Sequence, residues 1–257
     1  DQDFPELENV REELRAYYRR FEKHGVVVRE AQIDPLARLT AKPGNFEAWE
    51  MGCGKSLASL AWDHAKRQDD ARRGRQSGFT LLVSSALAIE LHWRDQLEEY
   101  ALAYSQPGSR AEWLSIAGVR VDGQSFLLAT HLAVAKYAKV IRGLVRRGFI
   151  TSLIVDESDE FRSRGSQRAQ ALAIAGREIR HKALLTGTPV RNNAAELFPQ
   201  LALFFHGDPF FRCVAQTQVV FDSKLGDFKT IKNPDYLQSY HGRGGFALFK
   251  RCHSPSK

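Results

Sequence analysis

The stretch WEMGCGKSLASLAW, residues 49–62, decides how the rest of the chain is read. A Gly-Cys-Gly-Lys-Ser core is followed by small and apolar residues at helical spacing, with Leu57, Leu60 and Ala61 on one face. Binding a nucleoside triphosphate requires backbone N–H groups aimed at phosphate oxygens, a cation and a metal ligand. Gly52 and Gly54 let the backbone curl tightly and approach phosphates, and the helix that follows offers unpaired N–H groups and its positive dipole end. Lys55 has the reach for the β and γ phosphates, and the Ser56 hydroxyl suits Mg2+. The expected nucleotide loop is therefore Gly52, Cys53, Gly54, Lys55, Ser56 and Leu57. The strict phosphate-loop pattern opens on a glycine where this chain has Trp49, so the stretch alone leaves open a glycine-rich turn that happens to precede a lysine.

Around it, strand and helix patterns alternate. Residues 6–23 have Leu, Tyr and Phe spaced three to four apart and predict a helix, followed by a loop holding Pro35, Pro43 and Gly44. Residues 45–51 read as a short strand running into the glycine turn, 55–68 as a helix and 69–78 as a polar loop. FTLLVS (79–84) is an apolar run that predicts a buried strand, and 86–100 returns to helical spacing. EWLSIAG (112–118) and SFLLAT (125–130) are expected as strands, joined at Asp122-Gly123 by a tight hairpin or a longer connection. Helices are expected over 131–147, 166–179 and 193–205, the last bent at Pro199, with strands over 149–157 and 181–187. From about residue 207 the pattern becomes irregular. This alternation favours an α/β fold, a mostly parallel sheet flanked by helices on both faces.

Two further segments carry chemistry. In SLIVDESDEF (152–161), Asp156 and Glu157 end a buried strand, and in an open parallel sheet ligands bind at the carboxyl ends of strands. Asp156 is a candidate for holding Mg2+, directly or through water, and Glu157 for deprotonating an attacking water. In LLTGTPVRNNAAELFPQLALF (184–204), Gly187 and Pro189 break a strand, and Thr186 and Thr188 put two hydroxyls at the break. A strand-turn-helix corner with Asn192 or Asn193 as cap is the plain structural alternative.

At this point the chain resembles a known family. EMGCGKS, VDESDEF and LTGTPVRNNAAELFPQLALF resemble motifs I, II and III of superfamily-two helicases, and are most similar to those of the Swi/Snf-type DNA translocases. That family's versions read roughly D-E-M-G-x-G-K-T, D-E-x-H and L-T-G-T-P-x-x-N-x-x-x-E-L. Leu185 through Pro189, Asn192, Glu196 and Leu197 fit the last, and glycine is not required at the position of Trp49. TLLVSSALAIELHWRDQLEEY is similar to motif Ia, with Trp93 in place, Ser85 at the usual Pro and Gln96 at the usual acid. LLATHLAV resembles the next DNA-facing motif through Thr130, and FALFKRCHS the segment that precedes a second domain. Asp159 stands where the second motif commonly has histidine.

The resemblance implies one RecA-like lobe of a two-lobed motor that uses ATP and Mg2+ and acts on DNA, with double-stranded DNA favoured. It implies Lys55, Asp156 and Glu157 as the catalytic set, Ser56 and Asp156 as metal ligands, Gln32 as the reader of adenine, Thr186, Gly187 and Thr188 as coupling residues, and Ser84, Ser85 and Thr130 as nucleic-acid contacts. The expected organisation is an N-terminal helix and adenine-side segment (1–44), a RecA-like core (45–206) and an irregular extension (207–257) toward a second lobe on a longer chain. HGRGG (241–245) reads as a flexible loop rather than that lobe's arginine motif.

Bulk properties fit this expectation without demanding it. Of 257 residues, 43% are hydrophobic and 26% charged, which is ordinary for a globular protein. The net charge of +7 is compatible with a polyanionic partner, and arginines at 142, 146 and 147 and at 162, 164 and 168 are candidate contacts. No apolar run is long enough for a bilayer, the acidic start is unlike a signal peptide, and the histidines are not spaced for a metal. Three scattered cysteines suit a reducing compartment, so an intracellular protein is expected, cytoplasmic and nucleoid-associated if bacterial. Two rivals remain: a phosphate-loop kinase or GTPase, which has no need of the Thr-Gly-Thr-Pro corner, and a catalytically weak ATP-binding scaffold in a larger nucleic-acid complex.

Overall fold

A computed structural model describes residues 5–42, 44–50, 52–163, 166–191, 196–204, 217–222 and 227–232. The chain opens with α1 (Pro5–Arg19), α2 (Glu30–Thr40), β1 (Gly44–Glu47), α3 (Lys55–Arg72) and β2 (Phe79–Ser84). A helical run follows: α4 (Ala86–Ala88), a π-helical turn (Ile89–Trp93) and α5 (Arg94–Glu99). Next come β3 (Ala103–Ser105), α6 (Arg110–Ser115), β4 (Ser125–Thr130), α7 (His131–Arg146) and β5 (Ile150–Val155). A 3-10 turn (Ser158–Phe161), α8 (Gln167–Gly176), β6 (His181–Leu185) and α9 (Leu197–Phe204) complete the main body.

Six strands form one sheet in the order β1-β6-β5-β2-β4-β3, with every pairing parallel. All residues of β2, β5 and β6 are buried, the mark of strands covered on both faces. On one face, Leu14, Tyr17 and Tyr18 of α1, Ile33 and Leu36 of α2 and Leu60, Ala61 and Trp62 of α3 pack with Leu82, Leu128, Ile154 and Leu185. On the other, Trp113, Val134, Ile141, Leu144 and Leu172 pack with Leu81, Val83, Leu127, Leu153 and Leu184. Each fully buried large side chain contributes about 1.5–3 kcal/mol relative to exposure, so the two layers dominate the stability. α3 is pinned further by a buried network in which Arg67 Nε donates to Asp63 at 2.9 Å and the Thr80 hydroxyl and Gln124 amide donate to the same carboxylate at 2.7 and 3.0 Å.

The structure corrects several expectations. EWLSIAG is helical: α6 runs into a 3-10 turn (Ile116–Gly118). Trp113 and Ile116, three apart, are buried while Leu114 is exposed, which is helical periodicity. Its start is a capping box, with Ser109 Oγ accepting from Glu112 N at 3.2 Å and Glu112 accepting from Gly108 N at 2.7 Å. Asp122-Gly123 therefore joins no hairpin, and β4 pairs in parallel with β2 and β3. Pro35 lies inside α2, where burial of Ile33, Leu36 and Ala37 outweighs its missing N–H. α3 continues through Arg72, into the expected polar loop.

Within 207–257, Thr217–Asp222 (β7) and Asp227–Lys232 (β8) form an antiparallel pair. Asn192, Asn193, Arg164, HGRGG and FALFKRCHS lie outside the described residues. Among the described residues, no helix is long and apolar enough to cross a membrane.

Candidate nucleotide site

β6 lies between β1 and β5, so three segments emerge side by side at the carboxyl edge of the sheet. These are the glycine loop after β1, the Thr186–Thr188 corner after β6 and the Asp156-Glu157 pair after β5. The ends are stitched together: Thr186 N donates to Glu47 O at 3.1 Å, and Asp156 N to Val83 O at 2.8 Å.

In the glycine loop, Gly52 and Gly54 both have φ of +78°, a conformation that strains any other L residue. Gly54 caps α3 without a side-chain partner, and the first helical bond runs from Ala58 N to Gly54 O at 3.0 Å. The N–H groups of Lys55, Ser56 and Leu57 precede that bond and point out of the helix N-terminus, an arrangement suited to anions. Lys55 Nζ donates to Trp49 O at 3.0 Å and Glu50 O at 2.9 Å, bracing its own loop. Cys53 is half-buried, and its carbonyl accepts from the Gln32 amide. Tyr18 donates to Gln32 Oε1 at 3.4 Å. The structure thus brings Gln32, from α2, onto the glycine loop.

The Asp156 carboxylate accepts from Ser84 Oγ and Trp93 Nε1, both at 2.9 Å, and from Glu157 N at 3.0 Å. Trp93 sits in the π-helical turn, a feature found often at functional sites. Its neighbour His92 places Nε2 2.9 Å from Ser56 Oγ. Two consecutive residues therefore touch Ser56 on one side and Asp156 on the other. No local sequence pattern carries this bridge, since the spacing of His92 suits no metal site.

Glu157 adopts φ 51° and ψ 51°, a strained left-handed conformation for a non-glycine residue. Burial raises its pKa above the usual carboxylate range, and repulsion from Asp156 and Asp159 adds to this. Lys55 and Arg191 act in the opposite sense, so the Lys55 charge reaches this carboxylate. A carboxylate with a raised pKa is suited to accept a proton near neutral pH.

Asp159 is fully buried and gathers the corner after β6. It accepts from Thr186 Oγ1 at 3.2 Å and Thr188 Oγ1 at 3.5 Å, and pairs with Arg191. Thr188 N in turn donates to Thr186 Oγ1 at 3.0 Å across Gly187. The Arg191 partnership gave no signal in the sequence, because nothing local joins the two positions.

Of the candidate nucleic-acid contacts, Ser84 is fully buried and turned to Asp156. Ser85 and Thr130 cap α4 and α7, accepting from Ala88 N at 3.1 Å and Ala133 N at 3.0 Å. Both line a cleft of about 510 Å3 with Glu157, Arg168 and Arg191. Arg142 and Arg146 are elsewhere, in the last turns of α7 with Arg147 next to them, while Thr130 and the cleft are at its first. Both arginines pair with Glu178, whose pKa their hydrogen bonds lower to about 2.

The SNF2-related domain family matches residues 36–236. The chain belongs to that family. A SWI2/SNF2 ATPase core from Sulfolobus solfataricus, solved in complex with dsDNA, shares the fold: TM-score 0.51, 16% identity, over 71% of this chain and 36% of that one. The bifunctional helicase and thymine dioxygenase JBP2 of Trypanosoma cruzi is 30% identical over 63% of this chain and 15% of its own length. Chromodomain-helicase-DNA-binding protein 6 of Mus musculus is 26% identical over 74% of this chain and 7% of its own. This SNF2-related domain thus spans a small part of those relatives, and its six-stranded parallel sheet matches the SNF2 ATPase core fold.

Proposed function

We propose that this SNF2-related domain binds ATP with Mg2+ at the carboxyl edge of its sheet and hydrolyses it, as one lobe of a translocase acting on double-stranded DNA. The observation that carries the reading is the bridge from Ser56 through His92 and Trp93 to Asp156, with the Lys55 charge felt at Glu157. Among the described residues, no cluster of three or more acidic, histidine or cysteine side chains could cage a metal. That fits Mg2+, which is usually held by one or two protein groups together with substrate phosphates. Ser56 and Asp156 would hold it, and the bound ion would supply charge neutralisation at the phosphates.

The backbone N–H groups from Gly54 to Leu57 cradle the phosphates, and Lys55 leaves its loop carbonyls to pair with them. Glu157 accepts the proton of the attacking water. Thr186, Gly187 and Thr188, held by Asp159, relay the state of the site to the cleft, where Ser85 and Thr130 contact a strand backbone. Ser84 acts indirectly, by holding Asp156. Gln32 senses the adenine side through its hold on Cys53. Double-stranded DNA is favoured because the Sulfolobus core with the same fold is described bound to it. A second RecA-like lobe on a longer chain is part of the proposal, in keeping with the 36% of that core covered here.

The test is ATP turnover by the full-length protein with and without duplex DNA, beside Lys55→Ala and Glu157→Gln. The motor reading expects stimulation by DNA that both substitutions abolish. Nucleotide binding with no turnover in either condition would contradict it and leave an ATP-binding scaffold.

A further inference from the structure

His92 is partner to the serine proposed to ligate the metal, and its role can be read from hydrogen-bond bookkeeping. A hydroxyl that gives a lone pair to a cation must direct its proton to another acceptor. Asp156, the other proposed metal ligand, already receives three donors: Ser84, Trp93 and the Glu157 N–H. Among the described residues, the side-chain partner of Ser56 is His92, with Nε2 at 2.9 Å. His92 is exposed, so its ring is not fixed there by burial. What fixes it is the backbone: the π-helical turn sets it next to Trp93, which is fully buried and bonded to Asp156.

We propose that His92 is a positioning residue for the metal site. Its Nε2, unprotonated in the tautomer with the proton on Nδ1, accepts the Ser56 O–H and turns the oxygen lone pairs toward the cation. Because Trp93 holds Asp156 from the next position, the single turn Ile89–Trp93 sets the attitude of both metal-binding side chains. This rests on the reading of Ser56 as a Mg2+ ligand.

The experiment measures the equilibrium affinity of the chain for ADP with Mg2+ and with EDTA, for wild type, His92→Ala, His92→Gln, Ser56→Ala and the double substitution His92→Ala/Ser56→Ala. The expected result is that His92→Ala cuts the Mg2+-dependent gain in affinity by about tenfold, the size of effect known for partners of metal ligands, and leaves the affinity in EDTA unchanged. His92→Gln, which carries an amide oxygen to accept the proton, restores most of the gain. Adding His92→Ala to Ser56→Ala costs nothing further, because the two act through one bond. A Mg2+-dependent gain that survives in His92→Ala while Ser56→Ala loses it overturns the inference and spares the wider reading. A gain that survives in Ser56→Ala overturns the assignment of Ser56 itself.

Discussion

Trp93 donates its indole N–H to Asp156 Oδ2 at 2.9 Å, joining the helical run after β2 to the carboxylate after β5. The ring is fully buried, so this bond is held in one geometry and shielded from water. Trp93→Phe keeps most of the packing and removes the donor. Turnover in the full-length protein should fall about tenfold, as for other partners of metal ligands. Stability should fall by about 1–3 kcal/mol, the cost of losing a bond to a carboxylate. Steady-state kinetics and urea unfolding read the two effects, and unchanged turnover would show that Asp156 needs no such support.

Glu157 is expected to move the proton, and its raised pKa with its strained backbone marks it for that work. Glu157→Gln should lower kcat by roughly 10²–10⁴-fold, the usual scale for a general base, while ATP binding persists. A loss of binding with intact kcat would assign the residue to nucleotide capture instead.

Asp159 and Arg191 shift the same carboxyl in opposite directions. Removing the negative charge with Asp159→Asn lowers the pKa of Glu157, so the acid limb of the turnover profile should move to lower pH. Removing the positive charge with Arg191→Gln raises it, and the limb should move to higher pH. Profiles of the full-length protein measured in parallel check both, and shifts in one direction for both variants would refute the electrostatic account.

Glu47, buried at the end of β1, has its carboxyl pushed up to about 8 from an ordinary 4.5, chiefly by burial. Asn45 donates to it, which only partly offsets that burial. Between those two values the native state keeps a proton that the unfolded chain has lost. Stability therefore falls as pH rises through this window. Glu47→Gln carries no ionisable proton and should flatten that slope. Near pH 8 it should be more stable than wild type by roughly 4 kcal/mol, with little difference near pH 5. Denaturant unfolding at a series of pH values measures the contrast, and parallel curves for the two proteins would contradict it.

The fold and the outline of the site were legible because their signals are local. The glycine loop, the carboxylates after β5 and the corner after β6 each fit within about ten residues, and the apolar runs of β2, β5 and β6 need only composition. Ser109 and Glu112 also spelled a capping box at the right spacing, so α6 was legible but misread as a strand. Pro35 argued for a loop, and tertiary burial of its neighbours overruled it. What no local pattern carries is the set of contacts between distant segments: His92 with Ser56, Trp93 with Asp156, and Arg191 with Asp159. Those depend on strand order, which places β5 between β6 and β2.

The central claim is that the glycine loop and the carboxylates serve one nucleotide. A crystal structure of the chain with ADP and Mg2+ tests it most directly. The account predicts phosphates on the N–H groups of residues 54–57, Lys55 turned from Trp49 O and Glu50 O onto the phosphates, and a metal ion between Ser56 and Asp156. Nucleotide bound elsewhere, or a metal held on one side of the site with Asp156 out of reach, would contradict it.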